Sequence, residues 1–175
     1  MSQVEKVHSR VEEAEEIIAQ LCEEYPEALW AVNQNLIAVL GVENKERPKN
    51  SKKLATIRPV KGINKSLMIL NGIPIRYVVE VYWDDYNAWN MAQKSAIMFH
   101  ELLHIGDEIG KLVKHDLMDF RIMVDKLGVD WHKDPNLPNL LNKHIDFDLS
   151  FRPNVNIENI NDLKVDTGDE IIKTE

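Results

Sequence analysis

A chain of 175 residues, 44% hydrophobic and 29% charged, suits a single domain with its own apolar core, which excludes disordered, collagen-like and disulfide-scaffold classes. Its formal net charge of −8 argues against broad phosphate-backbone binding, because nucleic-acid affinity rests largely on Lys and Arg. No run approaches 18 apolar residues and the start MSQVEKVHSRVEEAEE is too polar for a signal peptide, so a cytoplasmic protein with no membrane partner is expected. The single Cys22 has no internal disulfide partner and is expected to pack as a small apolar residue in the first helix.

In chain order, Val4, Val7, Val11, Ala14, Ile17, Ile18 and Leu21 recur at three- and four-residue steps and predict a helix over 4–24, closed by Pro26. Leu29, Val32, Leu36 and Leu40 repeat that period, predicting a second helix that stops at Gly41. Residues 45–65 carry eight Lys or Arg against one Glu and read as a solvated connector. With no aromatic residues interleaved as stacking platforms, a nucleic-acid contact there is left open but not favoured. The short apolar runs LATIRPV and SLMIL predict strands, and IPIRYVVEVYW, with Ile75, Tyr77, Val79, Val81 and Trp83 alternating, is the clearest strand. A helix is predicted from 87 to about 107 and another after Asp116 as N-cap, ending at Gly128. From 129 onward two nearby prolines and weak periodicity predict extended coil wrapping the domain, with a frayed end.

The chemistry concentrates in IMFHELLHIGDEIGKLVKHDLMDF. His100 and His104 stand one helical turn apart, on nearly one face, so both imidazoles can converge on one cation. A catalytic zinc ordinarily takes three protein ligands and leaves the fourth position to water. Glu101, rotated about 100° from His100, falls beside such an ion, where a carboxylate can act as general base on the attacking water. The five-residue pattern alone arises by chance in roughly two of a hundred such chains, so context must carry it. That context is a preceding strand, a small Ala96 one turn earlier that would leave space above the metal, and His115, ten residues beyond His104 and past Gly106 and Gly110. His115 is the leading third ligand, with Glu108 or Asp107 as alternatives. Asp116 is expected either to cap the following helix or to orient an imidazole. His8, His132 and His144 fall outside ligand spacing and read as exposed or capping residues, with an oxyanion donor as the lesser alternative for His132. Zn2+ suits this donor set, although imidazoles also suit other divalent ions.

YVVEVYWDDYNAWNMAQKSAIMFHELLHIG followed by KLVKHDLMDF resembles the phage metallopeptidase family, over roughly residues 52–127, and is more distantly similar to SprT-like zinc peptidases. The resemblance implies an α+β fold, a minimal zincin-like domain with a helical N-terminal part, a small twisted sheet, the active-site helix and a backing helix. It implies that His100, His104 and His115 bind zinc and that Glu101 is the catalytic base. A single domain over 1–150, followed by a C-terminal extension at 151–175, is expected to hydrolyse a peptide or protein substrate; a non-catalytic metal-binding module is the alternative. Asp107 and Gly110 stand where the metzincin extension has Gly and His, which argues against that subgroup. There is also no cysteine cluster of the kind many SprT-like proteins carry. In zincins the strand before the active-site helix presents an edge to extended peptide, which here would be 75–83; an internal strand of the same Val-rich composition is the alternative. Tyr82, Trp83, Tyr86 and Trp89 are read as core aromatics more readily than as a substrate wall.

Overall fold

The computed structural model describes residues 7–43 and 53–151. Val4 of the predicted first helix, residues 45–52 of the basic connector and the C-terminal extension beyond 151 lie outside the described residues.

The sheet is built around β4 (Tyr77–Tyr82), the strand most legible in the sequence. Its alternation buries Tyr77, Val79 and Val81 on one face, as a half-covered strand requires. β4 pairs in parallel with β2 (Ile37–Val42) and antiparallel with β3 (Ala55–Pro59), and β2 pairs antiparallel with β1 (His8–Arg10). The order is β1-β2-β4-β3, with Val39 and Ile57 in register on either side of Val79. β4 is therefore an inner strand, and the predicted peptide-facing edge at 75–83 is corrected: the outer strand on this side is β3.

Two predicted helices give way to this sheet. Residues 8–10 form β1 rather than the start of the first helix, because they complete the outer edge of β2 through the His8–Val42 to Arg10–Leu40 register. α1 (Glu12–Glu24) then begins with Glu12, Glu13 and Glu15 in its first turn, a favourable charge at a helix N-terminus. The second predicted helix is replaced by turns over 26–31 and by β2. Its apolar positions fit a helical period, yet Ile37, Val39 and Val42 are buried in a strand flanked on both sides, and periodicity alone cannot separate a short buried strand from a helix. Gly41 is required there, since a Cβ would stand 2.4 Å from the Trp83 ring.

SLMIL is helical rather than extended, within α2 (Gly62–Leu70), and none of the residues of α2 is buried. The helix predicted over 87 to 107 splits into α3 (Trp83–Ala88) and α4 (Met91–Leu103). The break is made by Asn90, whose side chain accepts the Gln93 N–H while the Gln93 side chain accepts the Asn90 N–H, a complete capping box. α5 (Arg121–Leu127) starts four residues later than predicted, with Phe120 at the N-cap position and Gly128 past its end.

The core lies between α1, α4 and the covered face of the sheet. α1 contributes Ala14, Ile17, Ile18 and Leu21, and Cys22 packs half-buried beside them, with burial pushing its thiol pKa up to about 11. Residues 129–151 wrap the domain as extended chain and short turns, as the sequence predicts. Tyr25 fastens that wrap: its hydroxyl donates to the Leu140 carbonyl and accepts the Ile145 N–H, while its ring meets Phe99 and Phe147 edge-on. Trp83, Tyr86 and Trp89 belong to this interior and its margin, Tyr82 is half-buried on the other face of β4, and none of the four lines the main cleft.

Candidate metal centre and active site

α4 is buried along most of its length, with Phe99, Leu102 and Leu103 fully enclosed, so rotation of the helix is fixed by its core face. That rotation leaves His100 and His104 partly exposed on the opposite side, with ring centroids 5.3 Å apart. Ala96 is fully buried and does not line the cleft, so the space the sequence assigned to it is not there.

The chain after α4 turns back through a clip that the sequence signals only as two glycines. Val113 N–H donates to the His104 carbonyl at 2.7 Å, and the Val113 carbonyl lies 2.7 Å from His104 Nδ1. An isolated bridge joins Ile105 to Leu112, and Gly110, with φ of 88°, gives its N–H to the Tyr77 hydroxyl. Gly106 passes so close to Val113 that a Cβ would be 2.8 Å from Cγ2. This hairpin returns His115 to the first two histidines. A nitrogen from each of the three rings falls within 4.8 Å of the others. Phe120, fully buried, packs edge-on beneath all three rings, at centroid distances of 5.4, 4.7 and 4.8 Å from His100, His104 and His115.

The tautomers follow from the partners. A carbonyl beside Nδ1 of His104 places the proton there and makes Nε2 the lone-pair nitrogen of that ring. His100 Nδ1 faces Asp119 Oδ1 at 3.0 Å, a close contact that falls short of good hydrogen-bond alignment, and its Nε2 lies 3.2 Å from Nε2 of His115. Two nitrogens held about 2.0–2.1 Å from one tetrahedral ion stand about 3.3 Å apart, so this spacing fits shared coordination. His115 is exposed as a residue, but the part of its ring packed among His100, His104 and Phe120 loses water. That desolvation first, and the neighbouring His100 second, lower its pKa and keep the imidazole neutral, the form that binds metal.

Glu101 is buried, and its Oε2 accepts the Ile57 N–H at 2.8 Å, which ties α4 to the outer strand β3. Burial raises its pKa, opposed by the positive influence of His100, the Ile57 N–H and Lys53. Asp119 is the residue the sequence reading missed. Burial would raise its pKa, but His100, the Trp131 indole N–H at 2.7 Å and the Phe120 N–H at 2.6 Å outweigh burial and hold it at about 2. Of the two roles expected for Asp116, the structure supports the capping one: it accepts the Arg121 N–H at 2.8 Å at the start of α5, while Asp119 stands beside His100. Asp119→Asn, which keeps the shape and removes the charge, is expected to weaken metal binding about 10- to 100-fold in competition with a chelating dye. Unchanged affinity would show that His100 needs no carboxylate partner.

The other candidates separate cleanly. Asp107 and Glu108 are exposed and outside the three-imidazole group, and Glu108 pairs with Lys111 at 2.7 Å. His8 lies 3.9 Å from Glu80, and His144 pairs with Glu24 and stacks on Tyr25. His132 lines the same cleft as the three imidazoles, as do Lys53, Thr56 and Ile57 from the β3 side. The cleft has a volume of about 950 Å³.

A mixed α+β domain that brings three imidazoles and a buried carboxylate to one cleft has the form of a small zincin-like metal enzyme. The chain belongs to the family described as Putative phage metallopeptidase, whose model matches residues 6–143, well beyond the motif core expected at 52–127. Membership implies a metal and a peptide or protein substrate. No curated protein and no solved structure matches the chain significantly, so the similarity to SprT-like peptidases rests on the sequence motif alone.

Proposed function

We propose that this chain is a zinc-dependent metallopeptidase in which His100, His104 and His115 hold the ion and Glu101 is the general base. The observation that carries this reading is the convergence of the three imidazoles, with Nε2 of His100 and of His115 3.2 Å apart and Nδ1 of His104 committed to a carbonyl. When bound, the ion supplies Lewis acidity, polarising the scissile carbonyl and bringing the pKa of an attacking water toward about 7.

The chain's own residues supply the rest. Glu101 uses one oxygen to accept the Ile57 N–H, so the other is available to take the proton of the attacking water and pass it to the leaving amine. Burial, by raising its pKa, matches it to both halves of that transfer better than a solvated carboxylate would be. Asp119, Trp131 and Phe120 fix the His100 ring from behind. β3, outermost in the sheet and lining the cleft, replaces β4 as the strand along which an extended peptide would lie.

The test is cleavage of an unfolded protein substrate by the purified chain. Activity is expected to disappear after treatment with a strong chelator and to return on adding about one equivalent of zinc. Cleavage that persists in the fully metal-stripped protein would overturn the proposal.

A further inference from the structure

We infer that the cleft selects substrates by a bulky apolar side chain next to the scissile bond, and that Leu117, Met118 and Val129 receive it. The inference rests on the reading of this cleft as a peptidase site and deepens it by naming the substrate class.

Three observations point the same way. First, Leu117, Met118 and Val129 are 60%, 91% and 81% exposed, yet all three line the cleft that holds the imidazoles. Large apolar side chains grouped at the mouth of a polar site mark a surface that is covered when ligand binds. Second, the wall behind them is carbon. Trp131 lines the cleft with its indole N–H already donated to Asp119, so what remains for a ligand is ring surface, and Ile97, Leu112 and Val124 extend it. Third, the acidic groups on this side are engaged. Asp119 is held by His100, Trp131 and Phe120, and Asp130 pairs with Lys133 at 3.1 Å, so neither is offered to a cationic side chain. A cationic substrate group entering here would lose water against carboxylates already engaged, whereas Leu, Met or Phe would bury carbon against carbon.

The placement along the chain gives the wall its relation to the reaction. Leu117 and Met118 occupy the short segment between His115 and Asp119, so the apolar rim begins two residues from one imidazole of the centre. A side chain resting on that rim belongs to a residue bordering the bond under attack. Met118, unbranched and polarisable, can adapt to side chains of different shape, which predicts a preference for apolar bulk rather than for one residue type.

The test uses the full chain loaded with zinc and a series of matched peptides that differ only in the residue flanking the cleaved bond, with Leu, Phe, Ala, Lys and Asp in turn. We expect kcat/KM for Leu and Phe to exceed that for Asp and Lys by about tenfold or more. Met118→Asp and Val129→Asp, at exposed positions where folding is little disturbed, are expected to shrink or reverse that ratio. In parallel, calorimetry of the Leu and Asp peptides on the Glu101→Gln protein reads binding without turnover and should show the same order. Efficient cleavage with no apolar preference, or a preference untouched by both rim variants, would overturn this inference while leaving the peptidase reading intact. No cleavage of any peptide by the loaded chain would overturn the peptidase reading, and the calorimetric order would then decide the apolar preference alone.

Discussion

Glu101→Gln is expected to lower peptide cleavage by about 10²- to 10⁴-fold, the usual contribution of a positioned general base, while metal content stays at the wild-type level. The substitution is close to isosteric, and the amide oxygen of Gln can still accept the Ile57 N–H, so the link between α4 and β3 survives. Only the ability to take a proton is removed. Metal analysis and kinetics on the same preparation make the result decisive: full metal with full cleavage would exclude Glu101 as the base, and loss of metal would mean that Glu101 holds the site together rather than acting in it.

The second large effect is expected at the third imidazole. His115→Ala should reduce zinc affinity by more than the roughly 10- to 100-fold typical of losing an outer carboxylate, because a direct ligand is gone. His115 is an exposed residue on a loop, so the apo protein should fold as before. Thermal unfolding separates the two effects. Ligand that binds only the native state raises its stability in proportion to its affinity, so zinc should raise the melting temperature of the wild-type chain and barely move that of His115→Ala. An equal rise in both would remove His115 from the coordination shell. Cleavage should fall with metal occupancy in the variant.

The residues proposed to form the centre were the legible ones. His100, Glu101 and His104 fall on one helical segment where spacing fixes orientation, and His115 follows two glycines that announce a turn. β4 was equally plain, since strict alternation of Tyr77, Val79 and Val81 has a single structural meaning. Elements whose identity depends on what covers them were not. β2 carries apolar residues at positions that satisfy a helical period and a buried strand alike, and only its place between β1 and β4 decides. SLMIL reads as a strand by composition, yet forms the end of an exposed helix because β3 and β4 already pair with each other. That Asp119, and not Asp116, stands against His100 was not legible for a related reason. Asp116 sits next to His115 in sequence, but the bends over 116–119 carry it toward Arg121 and bring Asp119 up against His100 and Trp131. Contacts made across a turn leave no periodic trace, and neither does the Phe120 ring that supports all three imidazoles.

Crystals of the zinc-loaded chain measured on both sides of the zinc absorption edge test most directly whether a single divalent ion sits among the three imidazoles. One anomalous peak per chain is expected, about 2.0–2.1 Å from Nε2 of His100, His104 and His115, with the Glu101 carboxylate beside the remaining coordination position. A peak elsewhere, or one that His115 does not touch, would contradict it.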